Sequence, residues 1–252
     1  MKPHSRAYYA RTARQFRRQR YLLVKGLLPQ IMLEYLRVYY AILLANDEFD
    51  ADEQCPRSLA LGGDRALDAV LEWIRPEVSR LIGFALAPTY SYTRRYAKGE
   101  RLERHCDREA CEISVTVSLE IPKRAGASEI YLKPPNSKER KIAMREGDGC
   151  VYAGTEVEHW RERFQTGGYV QLFLHFIARH GRHYPKCLFD GRESLGGNYE
   201  SAARKKGVTS AAERGKPEPR MGNVSRKKSS RPKGKGKAKG PGPHARKRKK
   251  RR

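Results

Sequence analysis

The amino-acid sequence predicts an α+β fold in which helices come first, a core of β-strands follows, and a basic tail comes last. Apolar residues recur with a period near 3.6 in residues 22–46 and 64–82, as along one face of an amphipathic helix. Apolar and polar residues alternate in residues 113–119 and, more loosely, in residues 171–177, which is the period of a β-strand. Residues 198–252 contain few large apolar side chains and many lysines and arginines, so we expect a disordered tail there.

The two N-terminal helices are predicted to brace the outside of the larger sheet. The first lies within residues 22–46, with Pro29 in its first turn, where a missing N–H costs no hydrogen bond. Its apolar positions are Leu28, Ile31, Met32, Tyr35, Val38, Tyr39 and Ile42. The second helix covers residues 64–82, after the glycine pair at 62–63, and Pro76 is expected to bend or divide it. Its apolar positions are Leu67, Val70, Leu71, Trp73, Ile74, Val78 and Leu81.

Three segments of the chain are expected: a basic stretch at 1–20, a domain at 21–197 and the tail at 198–252. The domain divides into a helical part at 21–85 and a β core at 86–180. Residues 1–20 hold six arginines and one lysine, and they form either a basic arm or a helix extension. Residues 49–61 are predicted to form an ordered loop near the mouth of a pocket, where they either gate entry or merely connect.

A short triplet, His105-Cys106-Asp107, and the distant His159 are the candidate metal ligands. In an extended strand, residues i and i+2 project from the same face, so His105 and Asp107 can hold one ion while Cys106 points away. Two imidazoles and one carboxylate on one face suit non-haem Fe(II) oxygenases. The triplet by itself is also typical of a surface hairpin, in which case His159 is an unrelated histidine.

The surroundings of the triplet match a known pattern in order and spacing. The matching residues are Tyr96, Gly99, His105, Asp107, Gly147, Asp148 and His159. Over residues 88–178 the chain resembles the 2-oxoglutarate- and Fe(II)-dependent dioxygenases, in pattern their prolyl-4-hydroxylase-like branch. The resemblance implies a double-stranded β-helix, or jelly roll. Turn signals at Pro122, residues 134–135, Gly147 and residues 167–168 are compatible with its short strands.

The resemblance also implies the cofactors and the reaction. His105, Asp107 and His159 would bind Fe(II), and 2-oxoglutarate would chelate the metal as co-substrate. The expected reaction hydroxylates an amino-acid side chain of a protein or peptide, or a small molecule. Succinate and CO2 are the co-products, and ascorbate is a candidate reductant. Tyr96 falls where the branch has a tyrosine that hydrogen-bonds the co-substrate, although a tyrosine there also suits strand packing.

One position departs from the branch, which usually has a Lys or Arg about ten residues after the distal histidine. Tyr169 stands there, and the closing strand contains no Lys or Arg. Arg161 has the same strand parity as His159, and a guanidinium matches a carboxylate in a bidentate way. We therefore predict that Arg161 pairs with the distal carboxylate of 2-oxoglutarate, with Gln171 adding a neutral hydrogen bond. The competing interpretation places Arg161 and Arg163 in a solvated turn.

The net charge of +25 is concentrated in the tail. Residues 201–252 contain 21 Lys and Arg and two Glu, a net charge of +19. Such a segment is expected to bind nucleic acid or another polyanion through phosphates, with a strong salt dependence. A solubilising or targeting role is the alternative. A non-enzymatic or degenerate β-domain that binds nucleic acid through this tail is the alternative to the oxygenase, and the missing closing-strand base is its best support.

The cellular setting follows from what the sequence lacks. The five cysteines form no Cys-x-x-Cys pair and no small secreted framework, which favours a reducing compartment. No apolar run is long enough to cross a bilayer, and the N-terminus has no signal-peptide core. These features predict a soluble intracellular protein, cytoplasmic, or nuclear if the source is eukaryotic, with no membrane partner.

Overall fold

The computed structural model describes residues 4–123 and 125–197, and the tail predicted at 198–252 lies outside them. The helices are α1 (Arg6–Gln19), α2 (Gln30–Ala45) and α3 (Arg65–Ile82). The strands are β1 (Tyr21–Val24), β2 (Asp50–Ala51), β3 (Leu59–Gly62), β4 (Leu86–Tyr96), β5 (Leu102–His105), β6 (Ile113–Glu120), β7 (Ser128–Lys133), β8 (Arg140–Met144), β9 (Gly149–Tyr152), β10 (Glu158–Arg161) and β11 (Tyr169–Ala178). None of these helices combines the length and the apolar character needed to cross a bilayer.

Two antiparallel sheets form the body of the domain. The larger has the strand order β1-β9-β6-β11-β4-β3-β2, and the smaller has the order β5-β10-β7-β8. Both strands predicted from the alternation, at 113–119 and 171–177, are present as β6 and β11, and they are neighbours in the larger sheet. Helices ahead of a two-sheet β core are the α+β architecture that the sequence predicts.

The two faces of β6 and β11 have opposite characters. Val115, Val117 and Leu172 belong to the apolar core that also contains buried residues of α2 and α3. On the other face, Gln171 Nε2 donates a hydrogen bond to Ser128 Oγ of β7, 2.8 Å away, in the smaller sheet. Period-two alternation therefore directs the apolar side chains toward the helices and polar side chains into the space between the sheets.

The first predicted helix is shorter than expected. Residues 21–24 form strand β1 instead, because Leu22 and Val24 pair with the free edge of β9 and become buried there. Pro29 precedes α2 as its N-cap residue, with an extended backbone, so the prediction of Pro29 within the first turn is wrong by one position.

The face that α2 buries also differs from the prediction. The buried positions are Leu33, Leu36, Tyr40 and Leu43. Most of the predicted apolar positions are exposed instead: Ile31 (73%), Val38 (64%), Tyr35 (60%) and Ile42 (53%). The helix is apolar on both sides, so its period did not identify the face that meets the sheet.

The second predicted helix and the basic N-terminal stretch are both ordered helices. Asp64 caps α3, its Oδ1 accepting hydrogen bonds from the backbone N–H groups of Ala66 and Leu67 at 3.0 Å. The helix runs through Pro76 as one element, so no division occurs there. Residues 6–19 form α1, whose fully buried Phe16 is part of the core and which packs on α3.

The segment after β11 returns to the start of α3 through a buried ion pair. Asp68 and Arg192 are both almost completely buried, with Oδ2 and Nη1 2.7 Å apart. Asp68 also accepts hydrogen bonds from the Ser91 backbone N–H and hydroxyl on β4 and from the Gly196 N–H. One carboxylate therefore joins α3, β4 and the segment that ends the described part of the chain.

Truncation at two neighbouring points tests this boundary. A chain that ends at Gly197 keeps Arg192 and Gly196, and we expect an unchanged cooperative melt. A chain that ends at Gly191 leaves Asp68 buried without its cation, which should destabilise the domain by about 3–5 kcal/mol. Thermal unfolding followed by circular dichroism compares the two, and equal melting temperatures would contradict the role assigned to the ion pair.

Candidate metal centre and co-substrate pocket

The three predicted metal ligands meet at one point. His105 ends β5 and lies directly opposite His159 of β10 in the antiparallel register. Asp107 Oδ1 lies 3.7 Å from His105 Nε2 and 3.5 Å from His159 Nε2. All three ligand atoms lie within 4.8 Å of one another. The structure therefore brings the three predicted side chains together, with Asp107 just beyond the end of β5.

Backbone carbonyls orient both imidazoles. His105 Nδ1 lies 2.7 Å from the carbonyl oxygen of Glu103, and His159 Nδ1 lies 2.9 Å from that of Val157. A carbonyl only accepts, so each Nδ1 carries the proton and each Nε2 presents a lone pair to the common point. Burial and the neighbouring His159 lower the pKa of His105, which favours the neutral, ligating form.

Asp107 is held by two groups that leave one carboxylate oxygen free. Ser114 donates its hydroxyl to Oδ2 at 2.7 Å, and the Asp107 backbone N–H donates to the Gly154 carbonyl at 2.9 Å. Burial opposes ionisation, but the neighbouring histidines and the Ser114 hydroxyl outweigh it and hold the pKa of Asp107 well below its usual range. Asp107 is therefore a carboxylate with Oδ1 facing the histidines.

A buried histidine extends this arrangement and was not predicted from the sequence. His175 Nδ1 lies 3.0 Å from Ser114 Oγ, and its ring lies 4.6 Å from that of Tyr90. Ser114 has one hydroxyl proton, which it gives to Asp107, so His175 Nδ1–H donates to Ser114. Burial lowers the pKa of His175 to about 4, which keeps the ring neutral. Ser114 and His175 are far apart in the chain and meet only because β6 and β11 are neighbouring strands whose register pairs them.

Gly154 is a second residue that the sequence analysis missed. A Cβ added to Gly154 would collide with Asp107 Oδ2, with the Cys111 carbonyl oxygen and with Ser114 Oγ. The turn between β9 and β10 therefore approaches the Asp107 carboxylate too closely for any side chain. The sequence signal was only a glycine shortly before His159, because the contact is between segments far apart in the chain.

Arg161 is buried between the sheets and has an unusual set of partners. Nη1 donates to Ser128 Oγ and the Glu129 carbonyl at 2.8 Å, and Nη2 donates to Thr116 Oγ1 and Gln171 Oε1 at 3.1 Å. All four acceptors are neutral, and no carboxylate of the described residues forms an ion pair with Arg161. Its Nε has no hydrogen-bond partner in the described structure.

The prediction from strand parity that Arg161 faces the interior is therefore correct, and the side chain lies beside Gln171. Burial lowers the pKa of Arg161. Arg163, the other candidate from the sequence, is exposed and donates to the Gly99 carbonyl at 2.6 Å. The solvated-turn interpretation holds for Arg163 and is wrong for Arg161.

Tyr96, the third predicted co-substrate residue, lies between two buried arginines. Its hydroxyl accepts a hydrogen bond from Arg94 Nη1 at 3.2 Å, and its ring centroid is 5.8 Å from Arg161 Cζ. The ring also stacks on Phe164, with centroids 4.4 Å apart. Tyr96 is thus both a packing residue and a polar one. Arg94 was not predicted, although it pairs with buried Asp52 at 2.6 Å.

An open cavity of about 630 Å³ contains the three ligands. Residues 50–54 form one wall, so the segment predicted as a loop near the pocket mouth does line it, with short strands β2 and β3 at its ends. Tyr152 and Phe173 line the interior, and the exposed Cys106 lies at the rim. Arg94 lines this cavity, whereas Arg161 does not.

Comparison with known proteins yields a match in structure only. No protein-family model and no curated protein matches the sequence. A prolyl-4-hydroxylase from Pseudomonas putida superposes with a TM-score of 0.56 at 14% identity, covering 69% of this chain and all of that one. A prolyl hydroxylase from Trichoplax adhaerens, in complex with a hypoxia-inducible-factor peptide, gives 0.56 at 14% identity, covering 68% and 90%.

A third structure with a similar fold is that of an epimerase rather than a hydroxylase. The epimerase SnoN of nogalamycin biosynthesis, in complex with Fe3+, α-ketoglutarate and nogalamycin RO, gives a TM-score of 0.56 at 13% identity, covering 69% of this chain and 85% of that one. This chain therefore has the jelly-roll fold of the 2-oxoglutarate- and Fe(II)-dependent oxygenases, with prolyl-4-hydroxylases among its structural relatives. The predicted fold class and the predicted resemblance are confirmed.

Replacing Gly154 tests the close approach to Asp107. We expect Gly154→Ala to displace the carboxylate and to lower the affinity for divalent metal by about 10–100-fold, as loss of support to a metal ligand commonly does. Isothermal titration with Mn²⁺, used as an air-stable probe, measures the change. Gly126→Ala is the control for a glycine replacement that costs stability away from the metal: a Cβ there meets no atom within 4 Å, and the strain comes from its positive φ of 74°, so metal affinity should not change. An unchanged affinity in Gly154→Ala would contradict this role.

Proposed function

We propose that this chain is an Fe(II)- and 2-oxoglutarate-dependent oxygenase. The observation that carries the proposal is the convergence of His105 Nε2, His159 Nε2 and Asp107 Oδ1 on one point inside a cavity. Two imidazoles and one carboxylate with open positions beside them are the donor set of non-haem Fe(II) oxygenases. The finer proposal is hydroxylation of an amino-acid side chain or a small molecule, with succinate and CO2 as co-products.

The support around the three side chains fits a resident metal. The backbone carbonyls accept from both Nδ1–H groups, so in the neutral rings each Nε2 is free to bind a metal, and Asp107 is ionised. A degenerate site would have no reason to keep this second layer of hydrogen bonds. When bound, Fe(II) and 2-oxoglutarate supply the oxidation chemistry, while the protein positions the reactants and excludes water.

The interior arginine fits a dicarboxylate co-substrate. A buried cation surrounded by neutral acceptors, with one N–H unpaired, lacks the anion that normally compensates its desolvation. A carboxylate beside Arg161 would provide that compensation, and Tyr96 and Gln171 would complete the polar surface around it. Because Arg161 lies outside the open cavity in this structure, side chains between them must move to admit the co-substrate.

Arg94 is the competing anchor. It lines the cavity directly, but Asp52 already pairs with its Nε, and Gln54 accepts from Nη2 at 2.8 Å. Its charge is therefore compensated within the protein, and we assign it to holding the cavity wall at residues 50–54. This assignment makes Arg161 the anchor and makes Arg94 a structural residue.

The substrate belongs to a class that enters a mixed aromatic and polar cavity. A volume of about 630 Å³ lies in the range of cavities that hold small molecules or single side chains. A peptide side chain and a small molecule therefore both remain within the proposal. Binding of nucleic acid or another polyanion by residues 201–252 stays a prediction, since those residues lie outside the described part of the chain.

The metal assignment predicts one Fe(II) per chain after anaerobic reconstitution. The double variant His105→Ala/Asp107→Ala should lose the metal, because it keeps one ligand of three. Metal analysis of the gel-filtered protein gives the stoichiometry, and conversion of 2-oxoglutarate to succinate gives turnover. Cys106→Ala, between the two ligands, is the matched control and should keep its iron. Wild-type stoichiometry in the double variant would refute the metal site.

The co-substrate assignment predicts a selective defect in Arg161→Gln. Losing a charge-assisted pair to a desolvated carboxylate costs roughly 2–5 kcal/mol, so the apparent KM for 2-oxoglutarate should rise about 30-fold or more. Fe(II) affinity should change little. Arg163→Gln, exposed and two residues away, should be nearly silent.

The melting temperature of Arg94→Gln distinguishes the structural role assigned to Arg94 from the co-substrate role assigned to Arg161. It leaves Asp52 buried without its cation, so it should lower the melting temperature of the protein even without co-substrate. If Arg94→Gln raises the KM and Arg161→Gln does not, Arg94 is the anchor. If neither substitution affects KM, the co-substrate is a different keto acid or is absent.

A further inference from the structure

Helix α2 carries an apolar face that no described residue covers. Ile31, Tyr35, Val38 and Ile42 are 53–73% exposed, and Ala45 continues the same line. We refer to these five residues as the α2 outer stripe. Their spacings are 4, 3, 4 and 3 residues, which is the a/d heptad pattern of a helix that packs along another helix. The opposite face of α2 is already used, since Leu33, Leu36, Tyr40 and Leu43 lie in or beside the core.

We propose that the α2 outer stripe is the dimer interface of this protein and that its occupant is the same stripe of a second copy. A helix that is apolar on both sides is typical of an element buried on both sides. The sheet covers one side of α2 in the single chain. A two-fold axis beside the stripe would cover the other side with an identical apolar seam.

The charge on and around the stripe favours a copy of this chain over its own tail. Glu34 is the exposed charged residue of α2, and Arg37 is partly buried and paired with Glu146 at 2.5 Å. The cation of α2, Arg37, is therefore already paired. Two copies can approach along α2 without bringing unpaired α2 cations together. Residues 201–252, with 21 Lys and Arg and few large apolar side chains, offer nothing that complements an apolar seam.

The area of the stripe is large enough for a modest symmetric interface. Its side chains expose on the order of 500 Å² of apolar surface, at the upper end of the largest patch on a typical monomer. Met32, Tyr39 and Ala41 flank the stripe and extend the apolar area toward the roughly 800 Å² per partner of a standard interface. A helix of 16 residues is about 24 Å long, so the seam runs its whole length.

The stripe also lies next to the cavity in sequence. Helix α2 ends at Ala45, and residues 50–54 form the cavity wall. Asp52 anchors that wall to Arg94. A partner on α2 would therefore contact the element that leads into the cavity wall.

The test is the mass of the full chain in solution. Sedimentation velocity of nuclease-treated protein at about 0.5 M salt, where charge contacts are screened, should give twice the chain mass. The double variant Val38→Asp/Ile42→Asp should raise the dimer dissociation constant by roughly 100-fold or more, since both copies lose two apolar contacts. Its circular dichroism should match the wild type, because both side chains are exposed in the single chain, and its melting temperature should fall only by the stabilisation that dimerisation supplies.

Trp73→Asp provides the matched control. Trp73 is a partly exposed apolar residue on α3 rather than on α2, so this variant should remain a dimer. Ile31→Asp/Tyr35→Asp is a second disrupting pair at the other end of the stripe, in case the first pair fails to fold. A wild-type chain that stays monomeric, whether or not it binds liposomes or another protein, overturns the proposal. A dimer that survives in both folded double variants overturns it as well.

Discussion

The alternation of side chains along β6 and β11 is the constraint on which the rest of the structure depends. Each strand sends one set of residues to the helices and the other set into the space between the sheets. The outward set is apolar and builds the core. The inward set contains Ser114 and Thr116 on β6 and Gln171 and His175 on β11. Because β6 and β11 are neighbours, these four polar side chains lie on one surface, with Phe173 between Gln171 and His175, and this surface faces β10, where His159 and Arg161 project.

This polar surface supports two sites with one set of strands. At one end, His175 and Ser114 hold Asp107, and the carbonyls of Glu103 and Val157 orient the histidines. At the other end, Thr116 and Gln171 hold Arg161. On β6 and β11 the residues of the two ends are an even number apart, and so are His159 and Arg161 on β10, so the supports of both sites lie on one face. A shift of either strand by one residue would reverse both sites together.

Sequence reasoning succeeded where the information is local. The His-x-Asp triplet, the parity of Arg161 with His159 and the alternation in β6 need only neighbouring residues. It failed where contact depends on distant segments. Gly154 supports Asp107 through the approach of a turn, and residues 21–24 form β1 only because β9 offers an edge. Helix α2 has apolar residues on both sides, so its 3.6-residue period did not show which face packs against the sheet. The face in contact with the sheet was therefore decided by tertiary packing.

Arg161 connects the stability of the domain to its chemistry. Desolvation of a guanidinium is costly, and four neutral acceptors offset only part of that cost, as the unpaired Nε shows. The buried arginines Arg94 and Arg192 have no such deficit, because Asp52 and Asp68 pair with them. Arg94 and Arg192, which hold the structure together, are thus each paired with a carboxylate. Arg161, which lies beside the predicted co-substrate residues, is not. An anion that binds beside Arg161 would form the ion pair that this guanidinium lacks. Its binding would therefore also stabilise the folded state.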